Sequence, residues 1–244
     1  MGADQLKALL IQIREDFGIK KEELESFSKH SGLGKQQIHS FDVFQTPHFT
    51  DDITSNYDLV FIGGASDASV LEPERYPFVT SLIETLRGCA EKKIPTFASC
   101  FGFQAAILAL GGNIIHQAED FEMGTYPINI KKDESALFEG ISNNFQAISV
   151  HKEKAIDVPE NCTVLGRTEN CIHIFQYKDH PFFGFQFHPE LDRPTLVKRL
   201  QFYQKKYTAD SAHFEMIIKS LSETPDSNKL LSNFIKNIVL KKAS

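Results

Sequence analysis

The feature that most limits the fold is a rhythm in the first half of the chain, where short apolar runs alternate with segments of helical spacing. Leu6 to Ile13 is mostly apolar and reads as a first buried strand. Lys20 to His30 is charged, with apolar points at Leu24 and Phe27, and reads as a surface helix broken by Ser31-Gly32-Leu33-Gly34. Ile38 to Phe44 alternates apolar and polar residues as a strand does. Leu59-Val60-Phe61-Ile62 is apolar at consecutive positions before Gly63-Gly64, which fits a parallel strand buried on both faces. Tyr76 to Lys92 has helical spacing at Phe78, Leu82, Ile83 and Leu86, and Thr96 to Ser99 is another short strand. Gln104 to Leu110 is a compact apolar helix that Gly111-Gly112 ends. Such alternation predicts an α/β fold with a mostly parallel central sheet and helices on both faces.

The second half changes character. Ile128 to Ile130, Phe145 to Val150, Cys162 to Gly166, Cys171 to Tyr177 and Phe182 to Phe187 are closely spaced strand candidates. They are expected to pair antiparallel at one edge of the main sheet. Helical spacing returns from Arg193 to Leu240, with Pro225 near the break between the last two helices. A chain of 244 residues can bury one substantial core, so a single α/β domain suffices.

Composition excludes some functions. The net charge is −6, and the only basic clusters are short pairs such as Lys205-Lys206 and Lys241-Lys242, so nucleic acid is not an expected partner. No apolar run approaches the ~20 residues of a membrane span. Met1 to Gln5 lacks the basic start and apolar core of a signal peptide, and Leu6 stands where a myristoylated terminus needs Ser or Thr. A membrane partner is therefore not expected either. Cys89, Cys100, Cys162 and Cys171 form no C-x-x-C pair and no zinc-finger spacing. A reduced, cytoplasmic protein is the simplest reading, with a Cys162–Cys171 bridge between two strands as the alternative. His30, His39, His48, His116, His173, His180 and His213 show no H-E-x-x-H or H-x-x-E-H pattern and read as surface or packing residues. Neither a metal nor a cofactor is expected in the chemistry. The phenylalanines of Phe182 to Phe187 alternate as in a core strand, so they read as packing and not as a platform for bases.

Two segments carry chemistry. In Ala98-Ser99-Cys100-Phe101-Gly102 a cysteine falls between a strand end and a helix start, where α/β sheets place their ligands. A nucleophile on so sharp a turn needs small neighbours two residues away on either side, and Ala98 and Gly102 supply them. The positive end of the following helix favours a thiolate, and the Phe101 N–H is positioned to help bind an oxyanion. The competing reading is a buried structural cysteine. In the second segment, Gln186-Phe187-His188-Pro189-Glu190, His188 sits at a strand end and Glu190 can reach back to orient its ring. Cysteine, base and orienting carboxylate are the parts of nucleophilic acyl transfer.

These segments resemble the class I, triad-type glutamine amidotransferases. The family's nucleophile region reads roughly G-x-C-x-G-x-Q, and this chain has Ala98-Ser99-Cys100-Phe101-Gly102-Phe103-Gln104. The family's Q-F-H-P-E block is matched in full by residues 186–190, and Leu110-Gly111-Gly112, Glu122-Met123-Gly124 and Leu137-Phe138-Glu139-Gly140 keep the family's order. The resemblance runs from about Leu6 to about Leu191. It implies a flavodoxin-like amidotransferase domain over residues 1–206, with residues 207–244 as a helical extension packed on it. It implies that Cys100 attacks the glutamine side-chain amide to form a γ-glutamyl thioester, that His188 activates the thiol and protonates ammonia, and that Glu190 supports His188. Gly63 and Gly64 match the family's glycine-rich oxyanion strand end, beside the N–H of Phe101, and Gln104 matches a residue that helps hold glutamine. The departures are Ala98 for the usual Gly, Phe103 for a frequent His, and Val150-His151-Lys152-Glu153 where the family has Ser-His-x-Asp. His151 is open between a substrate contact and a surface-loop histidine.

No S-G-G-x-D-S nucleotide loop like that of GMP synthase is present, and the tail from Arg193 is too short for a synthetase domain. Three functions remain open. One is a stand-alone, GMP-synthase-like glutaminase, whose possible partner is a separate synthetase or acceptor subunit. The second is a peptidase acting on glutathione-like γ-glutamyl compounds. The third is a non-catalytic regulatory module that kept the fold.

Overall fold

The computed structural model describes residues 2–117, 121–131, 135–202 and 211–242. Lys205-Lys206, the expected boundary between residues 206 and 207, and the side chain of His213 lie outside the described residues.

The described residues form eleven strands: β1 (Ala8–Ile13), β2 (Ile38–Asp42), β3 (Leu59–Ala65), β4 (Thr96–Ser99), β5 (Ile114–His116), β6 (Glu122–Ile130), β7 (Asn144–His151), β8 (Glu153–Ala155), β9 (Cys162–Arg167), β10 (Ile172–Tyr177) and β11 (Phe182–Phe185). The helices are α1 (Phe17–Ser31), α2 (Phe78–Glu91), α3 (Phe101–Ala109), α4 (Arg193–Phe202), α5 (Ser211–Ser220) and α6 (Pro225–Asn233). The last of these continues through a π-helical turn, Phe234–Val239, into Leu240–Lys242.

Nine strands form one sheet in the order β2-β1-β3-β4-β11-β10-β9-β6-β7, and β5 pairs with β8 separately. The run from β2 to β11 is parallel, and every pairing from β11 to β7 is antiparallel. The sheet is therefore doubly wound on one side and a meander on the other, as the two halves of the sequence predict. Apolar runs become strands here because both faces are covered. Ala8 and Leu10 join a core with Phe61, Phe97, Phe27 of α1 and Phe234 of the C-terminal turn. Leu9 and Ile11 point the other way, into a core with Val60, Ile62, Leu82 of α2 and Ile107 of α3. A third cluster, Ile148, Leu191, Leu196, Leu200 and Leu221, ties α4 to β7.

Several boundaries shift. Helix α1 begins at Phe17, not Lys20, because Asp16 caps it by accepting from the Ile19 N–H at 3.0 Å. It ends on Gly32 at φ 79°, the left-handed cap a glycine adopts without strain. Strand β3 runs on through Gly63 and Gly64 to Ala65, so the two glycines belong to the strand. Helix α3 begins at Phe101, directly after Cys100. Strand β6 begins at Glu122, six residues before the apolar positions that announce it. Strands β5 and β8 carry no sequence pattern that marked them.

Candidate active site

Because β1, β3, β4 and β11 run parallel, their carboxyl ends lie on one edge of the sheet. That edge holds Arg14 after β1, Ala65 at the end of β3, Cys100 after β4, and His188 beyond β11. Cys100 has φ 49° and ψ −100°, a conformation that costs a non-glycine residue roughly 1–3 kcal/mol. The turn is held by the Cys100 N–H donating to Phe185 O at 2.7 Å and by Cys100 O accepting from the Gln104 N–H at 3.1 Å. Gly102 is required next to it, since a Cβ there would lie 2.8 Å from Ile62 Cβ. The Cys100 side chain is buried, and its Sγ lies 3.7 Å from Val150 O. Phe101 opens α3, so its N–H has no partner within the helix by position.

His188 is fixed by its own backbone: its N–H donates to Ile148 O at 2.8 Å, and its carbonyl accepts from the Leu191 N–H at 3.1 Å. That turn brings Glu190 Oε1 to 2.7 Å from His188 Nδ1. Glu190 is fully buried. Burial alone would push the imidazole towards its neutral form. Electrostatic attraction to Cys100 and Glu190, with hydrogen bonds to both, outweighs burial and raises the ring to about 9. In Glu190 burial works in the opposite sense, yet the His188 charge and hydrogen bond hold the carboxyl below its ordinary range. The three residues thus meet at one site, where the His188 Nδ1–H donates to the Glu190 carboxylate.

Gly64 and Gly63 have different surroundings. A Cβ on Gly64 would lie 2.7 Å from His188 Cε1, 2.9 Å from Arg14 Nη2 and 3.5 Å from Cys100 Cβ. Only a glycine lets β3 approach the relay this closely. A Cβ on Gly63 would instead strike Glu23 Oε1 at 2.6 Å, so this residue makes room for the buried Arg14–Glu23 ion pair of 2.9 Å. Of the two glycines, Gly64 is the one packed against the relay.

A cavity of about 510 Å³ opens on Cys100 and His188, with Arg14, Gln104, His151 and Arg199 in its wall. Gln104 donates from Nε2 to Glu153 O at 2.9 Å, and the Glu153 carboxylate accepts from the Ser69 hydroxyl. The start of α3 is thereby tied to β8. His151 is not a surface-loop residue. It ends β7, is buried, and places Nε2 3.0 Å from Glu122 Oε2. His173 is fully buried beside it.

Sequence reasoning missed Arg14 and Arg199. Arg14 directly follows β1, and the rule that parallel strands present ligand groups at their carboxyl ends would have found it. Its Nη2 is buried without a hydrogen-bond partner. Arg199 reaches the wall from α4 and is held by Glu22 of α1 at 3.1 and 2.8 Å, a pairing across 177 residues that no local pattern announces.

The glutamine amidotransferase class-I family model matches residues 30–202. The chain belongs to that family. The glutamine-hydrolyzing GMP synthase of Borreliella burgdorferi is 32% identical over 173 residues, which is 69% of this chain and 32% of that protein. A subunit of the glutamine-hydrolyzing GMP synthase of Methanocaldococcus jannaschii is 32% identical over 114 residues, 45% of this chain and 60% of that one. The chain spans between 19% and 32% of the length of the first GMP synthases it matches. A glutamine amidotransferase structure from Thermotoga maritima superposes with a TM-score of 0.76 at 19% identity, covering 96% of this chain and 98% of that one. One from Methylobacillus flagellatus gives 0.71 at 15% identity, covering 94% of each. These two carry the fold, the flavodoxin-like amidotransferase architecture. No helix among the described residues is long and apolar enough to cross a membrane.

Proposed function

We propose that the chain hydrolyses the side-chain amide of glutamine through Cys100. The observation that carries this reading is the meeting of Cys100, on its strained turn, with the buried His188–Glu190 pair at the mouth of one cavity. Cys100 Sγ attacks the amide carbon, forming a C–S bond and a tetrahedral oxyanion. The N–H groups of Phe101 and of the Gly64–Ala65 segment receive that oxyanion; losing one such donor typically costs ~10²–10³ in rate. As the C–N bond breaks, His188 gives its proton to the departing nitrogen and ammonia leaves. The γ-glutamyl thioester is then attacked by water. His188 takes the water's proton, the C–S bond breaks, and glutamate leaves with the thiolate restored. Glu190 keeps His188 in one orientation and balances its charge in both halves. Gln104, through its tie to β8, shapes the glutamine pocket. His151 contributes to the wall. Ammonia would pass to a separate synthetase or acceptor protein, in keeping with relatives that are named as single subunits of GMP synthase.

A second substrate class, γ-glutamyl peptides, is favoured by Arg14. Its partnerless Nη2 lies beside the relay, where a carboxylate on the leaving amine would meet it. The attacked carbonyl is the same and only the leaving group differs. Purified protein incubated separately with glutamine and a panel of γ-glutamyl dipeptides, with free glutamate as the readout and Cys100→Ser as control, tests both. Release from glutamine supports the first reading, and release only from dipeptides carrying a free carboxylate supports the second. No release from any substrate, with or without a synthetase present, removes both and leaves a regulatory module.

A further inference from the structure

Behind the cavity wall lies a buried cluster that the hydrolytic relay does not use. His151 ends β7, and Glu122, its register partner, begins β6. Cys171 immediately precedes β10 and His173 lies within it. The β10–β9 pairing shifts register between Ile172 and Ile174, a bulge of the kind that re-aims a side chain. It leaves His173 fully buried, and Cys171 and His151 are buried too. One nitrogen from each histidine and the Cys171 sulfur lie within 4.8 Å of one another.

The hydrogen bonding of this cluster is incomplete in a particular way. Glu122 Oε2 is 3.0 Å from His151 Nε2, and Glu122 Oε1 is 3.4 Å from His173 Nε2, a close approach without hydrogen-bond geometry. The other ring nitrogen, Nδ1, has no hydrogen-bond partner in either histidine. Buried imidazole nitrogens without a hydrogen-bond partner are costly unless something else engages them. A carboxylate beside one nitrogen of a ring leaves the other free to meet a metal ion. Two imidazoles and a thiolate suit a borderline-soft divalent ion, and they leave a fourth tetrahedral position for water.

We propose that His151, His173 and Cys171 form a binding site for a divalent transition metal of the zinc class, with Glu122 as the carboxylate that orients both imidazoles. The metal takes no part in amide hydrolysis. Binding forms a metal–sulfur bond, and the thiol proton passes to solvent. Its effect on the hydrolytic site is mechanical. Val150, whose carbonyl lies against Cys100 Sγ, adjoins His151, so a bound ion pins the end of β7 that walls the cavity. The site stands whether or not Cys100 hydrolyses glutamine.

The test titrates chelator-treated full-length protein with Co²⁺, then displaces it with Zn²⁺. The expected result is one equivalent of Co²⁺ with a thiolate-to-cobalt charge-transfer band, unchanged in Cys100→Ser and abolished in Cys171→Ser. Glu122→Gln weakens binding by roughly 10–100-fold. Zn²⁺ raises the Tm of the parent protein and of Cys100→Ser but not that of His173→Gln, with circular dichroism confirming that each variant is folded. Failure of the parent protein to retain either ion overturns the proposal without recourse to any variant. So does a band that persists in Cys171→Ser and vanishes in Cys100→Ser, since the ion would then sit on the other thiol.

Discussion

Glu190→Gln isolates the charge on which the relay depends. The substitution keeps the shape of the side chain and removes only its charge. In the native protein His188 is raised from 6.5 to about 9, a preference for the imidazolium of roughly 3 kcal/mol at about 1.36 kcal/mol per pKa unit. Burial opposes that preference, while electrostatic attraction and hydrogen bonds to Cys100 and Glu190 supply it. A folded-state value above the unfolded one means that this contribution to stability is complete below about 6.5 and is lost as pH rises through about 9. With a neutral amide at 190 only the interaction with Cys100 still opposes burial, so the imidazolium loses its proton at lower pH. The alkaline loss of stability moves down with it. The amide also leaves an N–H₂ in a fully buried site where Glu190 Oε2 already has no partner, a further cost of about 1–3 kcal/mol. Catalysis should suffer more than stability. An uncharged orienting residue in a triad typically lowers kcat by up to ~10⁴, and we expect a fall of ~10²–10⁴ here. KM should change little, because Glu190 is absent from the cavity wall. Initial rates of glutamate release across the neutral and alkaline range, with an NMR titration of the His188 ring, make the assay. If the variant retains activity within a few-fold of the parent while His188 still titrates near its native value, the reasoning about the relay is wrong.

Other perturbations test separate parts. Gly64→Ala places a Cβ 2.7 Å from His188 Cε1, which the ring can avoid only by moving; kcat should fall ~10²-fold in a protein whose circular dichroism is unchanged. Cys100→Gly should abolish activity without lowering Tm, because glycine relieves a conformation at φ 49° worth about 1–3 kcal/mol; a clear drop in thermal stability would contradict the strain. Asp192 Oδ1 accepts from the Thr195 N–H at 2.9 Å and so caps the start of α4, and Asp192→Ala should cost about 1–2 kcal/mol in urea unfolding. Burial raises that carboxyl, but Lys29 and Thr195 outweigh it and hold it at about 2. Its contribution is therefore present above about 3.8 and fades as pH falls towards 2, discounted for its partial exposure to solvent.

What could be read from the sequence divides along physical lines. Strands β1, β3 and β4 were legible because strands covered on both faces are mostly apolar at consecutive positions and are bounded here by turn residues. Cys100 was legible because a sharp strand-to-helix turn demands small flanking residues, and His188 with Glu190 because their spacing is local. Strand β6 was legible only at its apolar end. Its first half, from Glu122 to Pro127, forms a two-stranded ribbon with β7 that β9 reaches only at Asn129 and Ile130, so polar residues and a proline are tolerated there. Strands β5 and β8 are three residues each, too short for any period to show. The partners of Arg199 and the meeting of His151 with His173 depend on long-range packing, which no window of sequence contains.

On this proposal, Cys100 becomes a γ-glutamyl thioester during turnover. Acid quenching of the protein during turnover of glutamine, followed by mass spectrometry of the intact chain and of its peptides, tests it most directly. A γ-glutamyl adduct is expected on the peptide that carries Cys100 and is absent in Cys100→Ser. Glutamate release with no adduct at Cys100, or release that survives Cys100→Ser, would contradict it.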